Sequence, residues 1–194
     1  MLIVNIDQGS VETELRSGRL SCPSCAGELR PWGHACDRAV RRGRGEERVR
    51  PRRSRCRSCR STHVLLPEIM LCRRRDHVEV IGTALQSRAG GAGYRLIARR
   101  LGRDRFTVRN WLRSFATLAD HVRVHFTAVA YALDPQLAPI SPAGDVVRDA
   151  LAAIGVAVRA AVQRLGPRPT WPLASRLSNG VLLNNAICHL PRPS

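Results

Sequence analysis

The chain has 194 residues, of which 32 are basic and 15 acidic, so its formal net charge is +17. All of the basic residues are arginine. This balance excludes an acidic, solvating disordered chain and makes a polyanion the first expected partner. No run of about 18 apolar residues predicts a membrane-spanning helix, and the first residues lack the basic flank of a signal peptide. Seven cysteines without an export signal favour a reducing compartment, so we expect a cytoplasmic protein.

Two segments are predicted before the first long helical pattern. Residues 1–20 predict a short strand over residues 1–6 and a short helix over residues 11–16. Residues 21–70 are rich in glycine, proline, cysteine and arginine, have no helical period, and end in a predicted strand over residues 62–67. At the centre of this segment we expect a solvated, mobile loop over residues 40–47, because Gly43 and Gly45 interrupt regular structure.

Two Cys-x2-Cys pairs carry the strongest signal of the second segment: Cys22 with Cys25, and Cys56 with Cys59. One tight turn presents both sulfurs of a pair to one ion, and Gly27 is expected to supply the left-handed step that follows. Two such turns complete a tetrahedral thiolate site, which predicts one closed, structural Zn²⁺ in a zinc ribbon. The alternatives are four cysteines paired by chance, or a redox pair. The other candidate ligands are expected to be packing or surface residues: His34, Cys36, His63 and Cys72. Cys188, near the tail, is expected to be a buried small hydrophobic residue.

Residues 77–116 predict a three-helix domain with a helix-turn-helix. Apolar residues recur at helical spacing on both sides of a tight turn: Tyr94, Ile97, Ala98 and Leu101 before it, and Val108, Trp111, Leu112 and Phe115 after it. Gly102 is placed to end the first of these helices in a left-handed conformation, and Asp104 is placed to cap the next. The alternative is an ordinary helical hairpin with a solvated arginine face.

The predicted DNA contacts follow from this arrangement. If residues 106–115 form a recognition helix, its outward side chains contact base edges in the major groove: Thr107, Arg109, Asn110 and Arg113. Other arginines are predicted to contact phosphates, which position the protein without specifying sequence. They are Arg52, Arg53, Arg55 and Arg57 near the second cysteine pair, and Arg99, Arg100, Arg103 and Arg105 near the turn.

Residues 117–194 predict a helical C-terminal region with a proline-rich tail. One amphipathic helix is expected over residues 118–133, and another over residues 145–165 with Asp145 as its N-cap. The second helix carries apolar residues at alternating spacings of four and three, which is a heptad seam. This seam predicts either packing against the preceding helices or a homodimer formed through the helix.

Several of these motifs resemble known proteins. Four motifs of the second segment resemble the N-terminal zinc ribbon of insertion-element transposases and their helpers. They are Cys22-Pro23-Ser24-Cys25, Leu29-x-x-Trp32-Gly33, Arg55-Cys56-Arg57-Ser58-Cys59 and Thr62-His63-Val64-Leu65-Leu66-Pro67. Two further motifs resemble the homeodomain-like helix-turn-helix of the same proteins. They are Ile97-Ala98-Arg99-Arg100-Leu101-Gly102 and Thr107-Val108-Arg109-Asn110-Trp111-Leu112-Arg113. The pairing most resembles an uncharacterised actinobacterial family. The resemblance covers roughly residues 1–118, and more weakly residues 171–183, and implies a role at mobile-element DNA or at promoters.

The sequence therefore predicts a mainly α fold with a small β zinc ribbon, followed by the helix-turn-helix domain and C-terminal helices. The predicted function is sequence-specific binding of double-stranded DNA without catalysis, as a transcriptional regulator or a mobile-element DNA binder. The alternative is a truncated transposase or a helper that works with a separate catalytic transposase subunit. A nuclease is disfavoured because only four acidic residues follow Arg113, and no strand pattern carries them.

Overall fold

The computed structural model describes residues 1–183, and within them all strands precede residue 68. The strands are β1 (Leu2–Val4), β2 (Leu29–His34), β3 (Arg38–Arg42), β4 (Gly45–Val49), β5 (Arg52–Cys56) and β6 (Thr62–Pro67). The helices are α1 (Gln8–Arg16), α2 (Val78–Ala89), α3 (Tyr94–Leu101), α4 (Arg105–Leu133), α5 (Val146–Leu165) and α6 (Thr170–Leu177). Cys188 and the end of the predicted proline-rich tail lie outside the described residues.

Four strands form one mixed sheet in the order β1-β6-β5-β2. β1 pairs in parallel with β6, whereas β5 pairs antiparallel with both β6 and β2. Helix α1 begins at Asp7, whose carboxylate accepts a hydrogen bond from the Ser10 N–H. The helix buries Val11 and Leu15 in a small core with Leu29 of β2. This core lies directly beside the cysteine pairs, because the buried Cys22 and Cys56 belong to it.

Strands β3 and β4 form a separate hairpin with the two-residue loop Gly43–Arg44. The mobile loop predicted for this segment is therefore wrong. Val40 is fully buried and Val49 is 8% exposed, and both pack in one cluster with Ile3 and Met70. These two valines are the buried apolar side chains of the hairpin, and most of its other side chains are charged and exposed.

The prediction of a mainly α fold is also wrong. Of the described residues, 47% lie in helices and 18% in strands, and the strands form a mixed four-stranded sheet and a two-stranded sheet. The error has a physical origin: a short strand with arginine on its exposed face carries few apolar side chains, so its period-two signal is weak. In β5, for example, the two buried positions are Ser54 and Cys56, and the remaining three are arginines.

Helices α2 to α6 share one apolar core. Helix α4 runs without interruption through a region where the sequence predicted two helices, because neither glycine nor proline occurs between its ends. Helix α5 packs along α4, and small side chains allow their close approach. The buried alanines of these two helices include Ala119 and Ala130 on α4, and Ala153 and Ala157 on α5.

The heptad seam of α5 contributes to this core. Ile154, Val158 and Ala161 are buried in it, whereas Leu165 at the end of the helix is 54% exposed. Packing against α4 therefore accounts for most of the seam within one chain, and a homodimer through α5 stays a prediction. Among the described helices, none combines the length and apolar character needed to cross a membrane.

Helix α6 and the turn that follows it connect the helical core to the sheet. Trp171 lies against α2 at Gly82, where no side chain intervenes. The Ser175 hydroxyl donates a hydrogen bond to the Met70 carbonyl at 2.8 Å, and the Asn179 side-chain oxygen accepts one from the Ile3 N–H at 2.9 Å. These contacts hold the end of the described chain against its beginning.

Candidate metal centre and nucleic-acid interface

The four cysteines of the two Cys-x2-Cys pairs converge on one point. The sulfur atoms of Cys22, Cys25, Cys56 and Cys59 all lie within 4.8 Å of one another. The Cys22 and Cys59 sulfurs are 3.7 Å apart, and those of Cys25 and Cys56 are 3.5 Å apart. A tetrahedral ion with metal–sulfur bonds of about 2.3 Å separates its ligands by about 3.8 Å. The predicted clustering is therefore confirmed, and the geometry is compatible with a structural metal site.

Each pair lies on a tight turn, and the two turns have the same design. The residue after the second cysteine has a left-handed backbone in both turns: φ is 58° at Ala26 and 64° at Arg60. The left-handed step predicted for Gly27 is therefore wrong, because Ala26 makes it. Gly27 is needed for a different reason, since a Cβ there would lie 2.4 Å from the Ser58 hydroxyl and 3.0 Å from the Cys56 sulfur.

Charge is unevenly shared among the four sulfurs. The pKa of the Cys59 thiol is lowered to about 6, mainly because the Ser61 hydroxyl and N–H donate hydrogen bonds to its sulfur. The pKa of the Cys25 thiol is raised to about 11: the Gly27 N–H lowers it, but the neighbouring Cys56 and Cys59 sulfurs raise it by more. A divalent cation would hold all four sulfurs as thiolates, because its charge offsets their mutual repulsion.

His63 lies beside the cysteine cluster without belonging to it. Its Nε2 is 3.3 Å from the Cys22 sulfur, and its Nδ1 is 3.2 Å from the amino group of Met1. Burial lowers the pKa of His63, which favours a neutral ring that donates from Nε2 to the sulfur and accepts at Nδ1. Such a contact orients a metal ligand from outside the coordination shell. The spacing of the cysteines carried no sign of this role.

The other candidate ligands lie apart from the centre. His34 and Cys36 are exposed at and after the end of β2, and neither belongs to the sulfur cluster. Cys72 is buried, and its sulfur lies 3.7 Å from the Asn179 carbonyl oxygen. The prediction for Cys188 falls outside the described residues.

The arginines near the second cysteine pair differ in their availability. The Arg52 side chain is 15% exposed and pairs with Glu12 at 2.9 Å. The Arg55 guanidinium lies over the ring of Trp32, 4.7 Å from its centre, and the Arg57 side chain is 65% exposed near Glu28. Arg53, the fourth predicted phosphate contact here, is half-buried on β5.

The turn between α3 and α4 has the predicted chemistry. Gly102 ends α3 in a left-handed conformation with φ of 61°, and the Asp104 carboxylate accepts hydrogen bonds from the Phe106 and Thr107 N–H groups. Val108 and Trp111 then face the core. The positions of the glycine and the aspartate in the sequence were sufficient to predict this turn.

The predicted base-contacting residues lie on the first turns of α4. Arg109, Asn110 and Arg113 are exposed, and Thr107 is half-buried. Phe106 is 53% exposed, with the Arg105 guanidinium 4.8 Å from the centre of its ring. The structure thus brings three of the four predicted side chains together on one open face.

The predicted phosphate-contacting arginines near this turn divide into two groups. Arg99, Arg100 and Arg105 are exposed. Arg103 is different: its side chain is only 7% exposed, and its Nε lies 2.6 Å from Oδ1 of Asp76. Its guanidinium is therefore committed to a contact within the protein, which the sequence alone did not reveal.

The comparisons with known proteins point to the same part of the chain. Residues 22–111 match the sequence model of a family described as a domain of unknown function, DUF6431. The chain is similar to that family over this range. The range begins at the first clustered cysteine and ends within α4, so it includes the whole sulfur cluster and the α3–α4 turn. No curated protein and no solved structure matches the chain.

Proposed function

We propose that the protein binds double-stranded DNA at specific sequences, with the first turns of α4 in the major groove and without catalysing a reaction. One observation carries the proposal: Arg109, Asn110 and Arg113 face solvent on a helix that begins at a capped turn after a left-handed glycine. Arginine pairs with guanine and asparagine with adenine on their major-groove edges. A helix-turn-helix uses its second helix in this way.

The surrounding charge supports the same mode of binding. Arg99, Arg100 and Arg105 are exposed around the turn, where phosphates flank a helix that lies in the groove. We keep Arg57, which is exposed, and Arg53 and Arg55, which are half-buried on β5, as further phosphate contacts. We leave Arg52 and Arg103 out of the phosphate-contacting set, because both are paired with carboxylates of the protein.

The sulfur cluster serves a structural role in this proposal. Four thiolates in a tetrahedral arrangement are the typical ligands of a closed zinc site, which leaves no open position for a substrate. The ion therefore holds the sheet together and takes no part in chemistry on DNA. A zinc–thiolate centre also suits a reducing compartment, which supports a cytoplasmic location.

The resemblance to transposase N-terminal regions favours a second candidate role. In that role the protein is a truncated transposase or a helper that recognises DNA for a separate catalytic subunit. The preferred DNA sequence distinguishes the two roles. A preference for the terminal inverted repeats of a mobile element favours the helper, whereas a preference for sites upstream of genes favours the regulator.

A selection of binding sites from random DNA duplexes tests the proposal. We expect the wild type to enrich a defined sequence, and we expect Arg109→Ala and Asn110→Ala each to weaken binding to it by about 1–3 kcal/mol. Each variant should also relax the preference at particular base pairs. Arg159→Ala is the matched control, because Arg159 is exposed on α5, away from the first turns of α4.

Two outcomes would contradict the proposal. If the wild type enriches no sequence, or if Arg109→Ala weakens binding to all duplexes equally, α4 does not read bases. Cleavage of duplex DNA with Mg²⁺ or Mn²⁺, abolished by Asp120→Ala or Asp134→Ala, would instead indicate an enzyme. Competition with double-stranded RNA should be weak, because its deep, narrow major groove does not admit a helix.

A further inference from the structure

The β3–β4 hairpin contacts the α3–α4 turn through a buried cluster of charges. Asp76 is 3% exposed, and its two carboxylate oxygens bind different arginines. Arg41 of the hairpin donates from Nη2 to Oδ2, and Arg103 of the turn donates from Nε to Oδ1, each at 2.6 Å. One carboxylate thus joins two elements that are distant in the sequence.

Arg103 also binds the loop at the end of the hairpin. Arg103 donates from Nη1 to the Gly43 carbonyl oxygen at 2.8 Å, and Gly43 lies in the hairpin loop. The backbone of Arg41 forms two more hydrogen bonds, from its N–H to the Arg75 carbonyl at 2.7 Å and from its carbonyl to the His77 N–H at 3.0 Å. The hairpin therefore has a fixed position relative to the start of α4.

Stability alone does not explain this cluster. A buried ion cluster usually contributes little more than apolar packing of the same volume. Two arginines here share one carboxylate, and among the described residues Arg41 Nε and Arg103 Nη2 are buried without a hydrogen-bond partner. What the cluster does provide is a defined distance between the hairpin loop and the turn that begins α4.

The loop presents positive charge at this fixed position. We call residues Arg42, Gly43 and Arg44 the hairpin tip. All three are exposed, and the Arg42 side chain is 65% exposed with its nearest carboxylate, that of Glu79, 3.9 Å away. An ion pair of this length at the surface contributes little, so a phosphate can replace it.

We propose that the hairpin tip is a second DNA-contacting element, in which Arg42 and Arg44 bind backbone phosphates beside the base pairs read by α4. This inference rests on the proposed function, because it names a further contact to the same duplex. Arg103, in this view, is a positioning residue: it does not touch DNA but holds the tip against the turn.

The test is a salt titration of binding to the selected DNA site. The variant Arg42→Ala with Arg44→Ala removes two phosphate contacts, so the log–log slope of affinity against salt should fall by about 1.8. Between 50 and 200 mM salt, the variant should therefore lose about 12-fold less affinity than the wild type. Its preferred sequence should be unchanged, and hydroxyl-radical protection should disappear from backbone positions at one side of the site.

A matched control separates a contact from a general charge effect. Arg159→Ala with Arg164→Ala removes the same charge from exposed positions on α5 and should leave the slope and the protection unchanged. Equal slopes for the two double variants, or unchanged protection in the tip variant, would overturn the inference. Failure of the proposed function has a different signature, since the wild type would then enrich no sequence and Arg109→Ala would not alter its preference.

Discussion

We expect the four-cysteine centre to hold one zinc ion, and we expect removal of that ion to unfold the sheet and leave the helical core folded. The small core beside the centre contains five buried apolar residues besides the two cysteines: Val4, Val11, Leu15, Leu29 and Leu65. At about 1.5–3 kcal/mol each, their burial contributes about 8–15 kcal/mol. A structural zinc ion contributes a similar amount, about 10–16 kcal/mol in small zinc modules. We therefore expect removal of a zinc ion to take away about half of the favourable free energy that stabilises this part of the chain.

The helical core has no such dependence. Among residues 1–183, 25 buried residues form this core; they come from α2 to α6 and from the segments beside them, and none is a member of the sulfur cluster. Hydrogen exchange after chelation should therefore show loss of protection in β5 and β6 and retained protection in α4 and α5. Native mass spectrometry before chelation should show one bound ion per chain.

A pair of variants makes the test specific. Cys25→Ser removes one sulfur of the cluster, whereas Cys36→Ser removes an equally exposed cysteine outside it. We expect the first variant to lose the ion and the protection of the sheet, and the second to keep both. Absence of a bound ion from the native protein, together with a sheet whose protection is insensitive to chelators, would refute the reasoning.

Two further predictions concern the helical core. Burial lowers the pKa of His125 below its usual 6.5, against a smaller opposing effect of the Leu177 carbonyl, so the unfolded chain takes up the proton first as the pH falls. The free energy of unfolding should therefore decrease as the pH falls below about 6.5. His125→Gln should lessen this decrease in urea titrations at several pH values. Gly82→Ala should destabilise the core by about 1–2 kcal/mol, because the added methyl group would overlap the Trp171 ring.

The features that the sequence predicted well depend on residues that are close together along the chain. The cysteine pairs, the left-handed Gly102 and the Asp104 cap are each set within a few residues. The strand over residues 62–67 was also predicted correctly, because it is short, apolar and bounded by a proline. Local rules of turn and cap chemistry are strong enough to act without tertiary context.

The features that the sequence did not predict depend on distant residues. Strand β1 joins the sheet by pairing in parallel with β6, and nothing within either strand indicates that partner. Arg103 was predicted to contact phosphate with the other arginines near the turn, but it binds Asp76, which lies 27 positions away in the sequence. The sequence also predicted separate helices over residues 106–115 and 118–133, where the structure has the single helix α4.

The packing of helix α6 against α2 also depends on distant residues, and a substitution at Gly82 of α2 tests it. A Cβ at Gly82 would lie 2.0 Å from Cε2 of Trp171, so a methyl group there must displace the indole or move the helix. Overpacking costs about 1–3 kcal/mol, and the better helix propensity of alanine offsets up to about 1 kcal/mol of it.

Gly155→Ala in α5 is the matched control, because its nearest contact would be the flexible end of Arg159 at 3.5 Å. This control should stabilise the protein by about 0.5–1 kcal/mol in urea unfolding. In a Trp171→Leu background the penalty of Gly82→Ala should disappear, because the opposing ring is gone. If both alanine variants stabilise the wild-type protein equally, Trp171 does not pack against Gly82, and α6 does not contact α2 in this way.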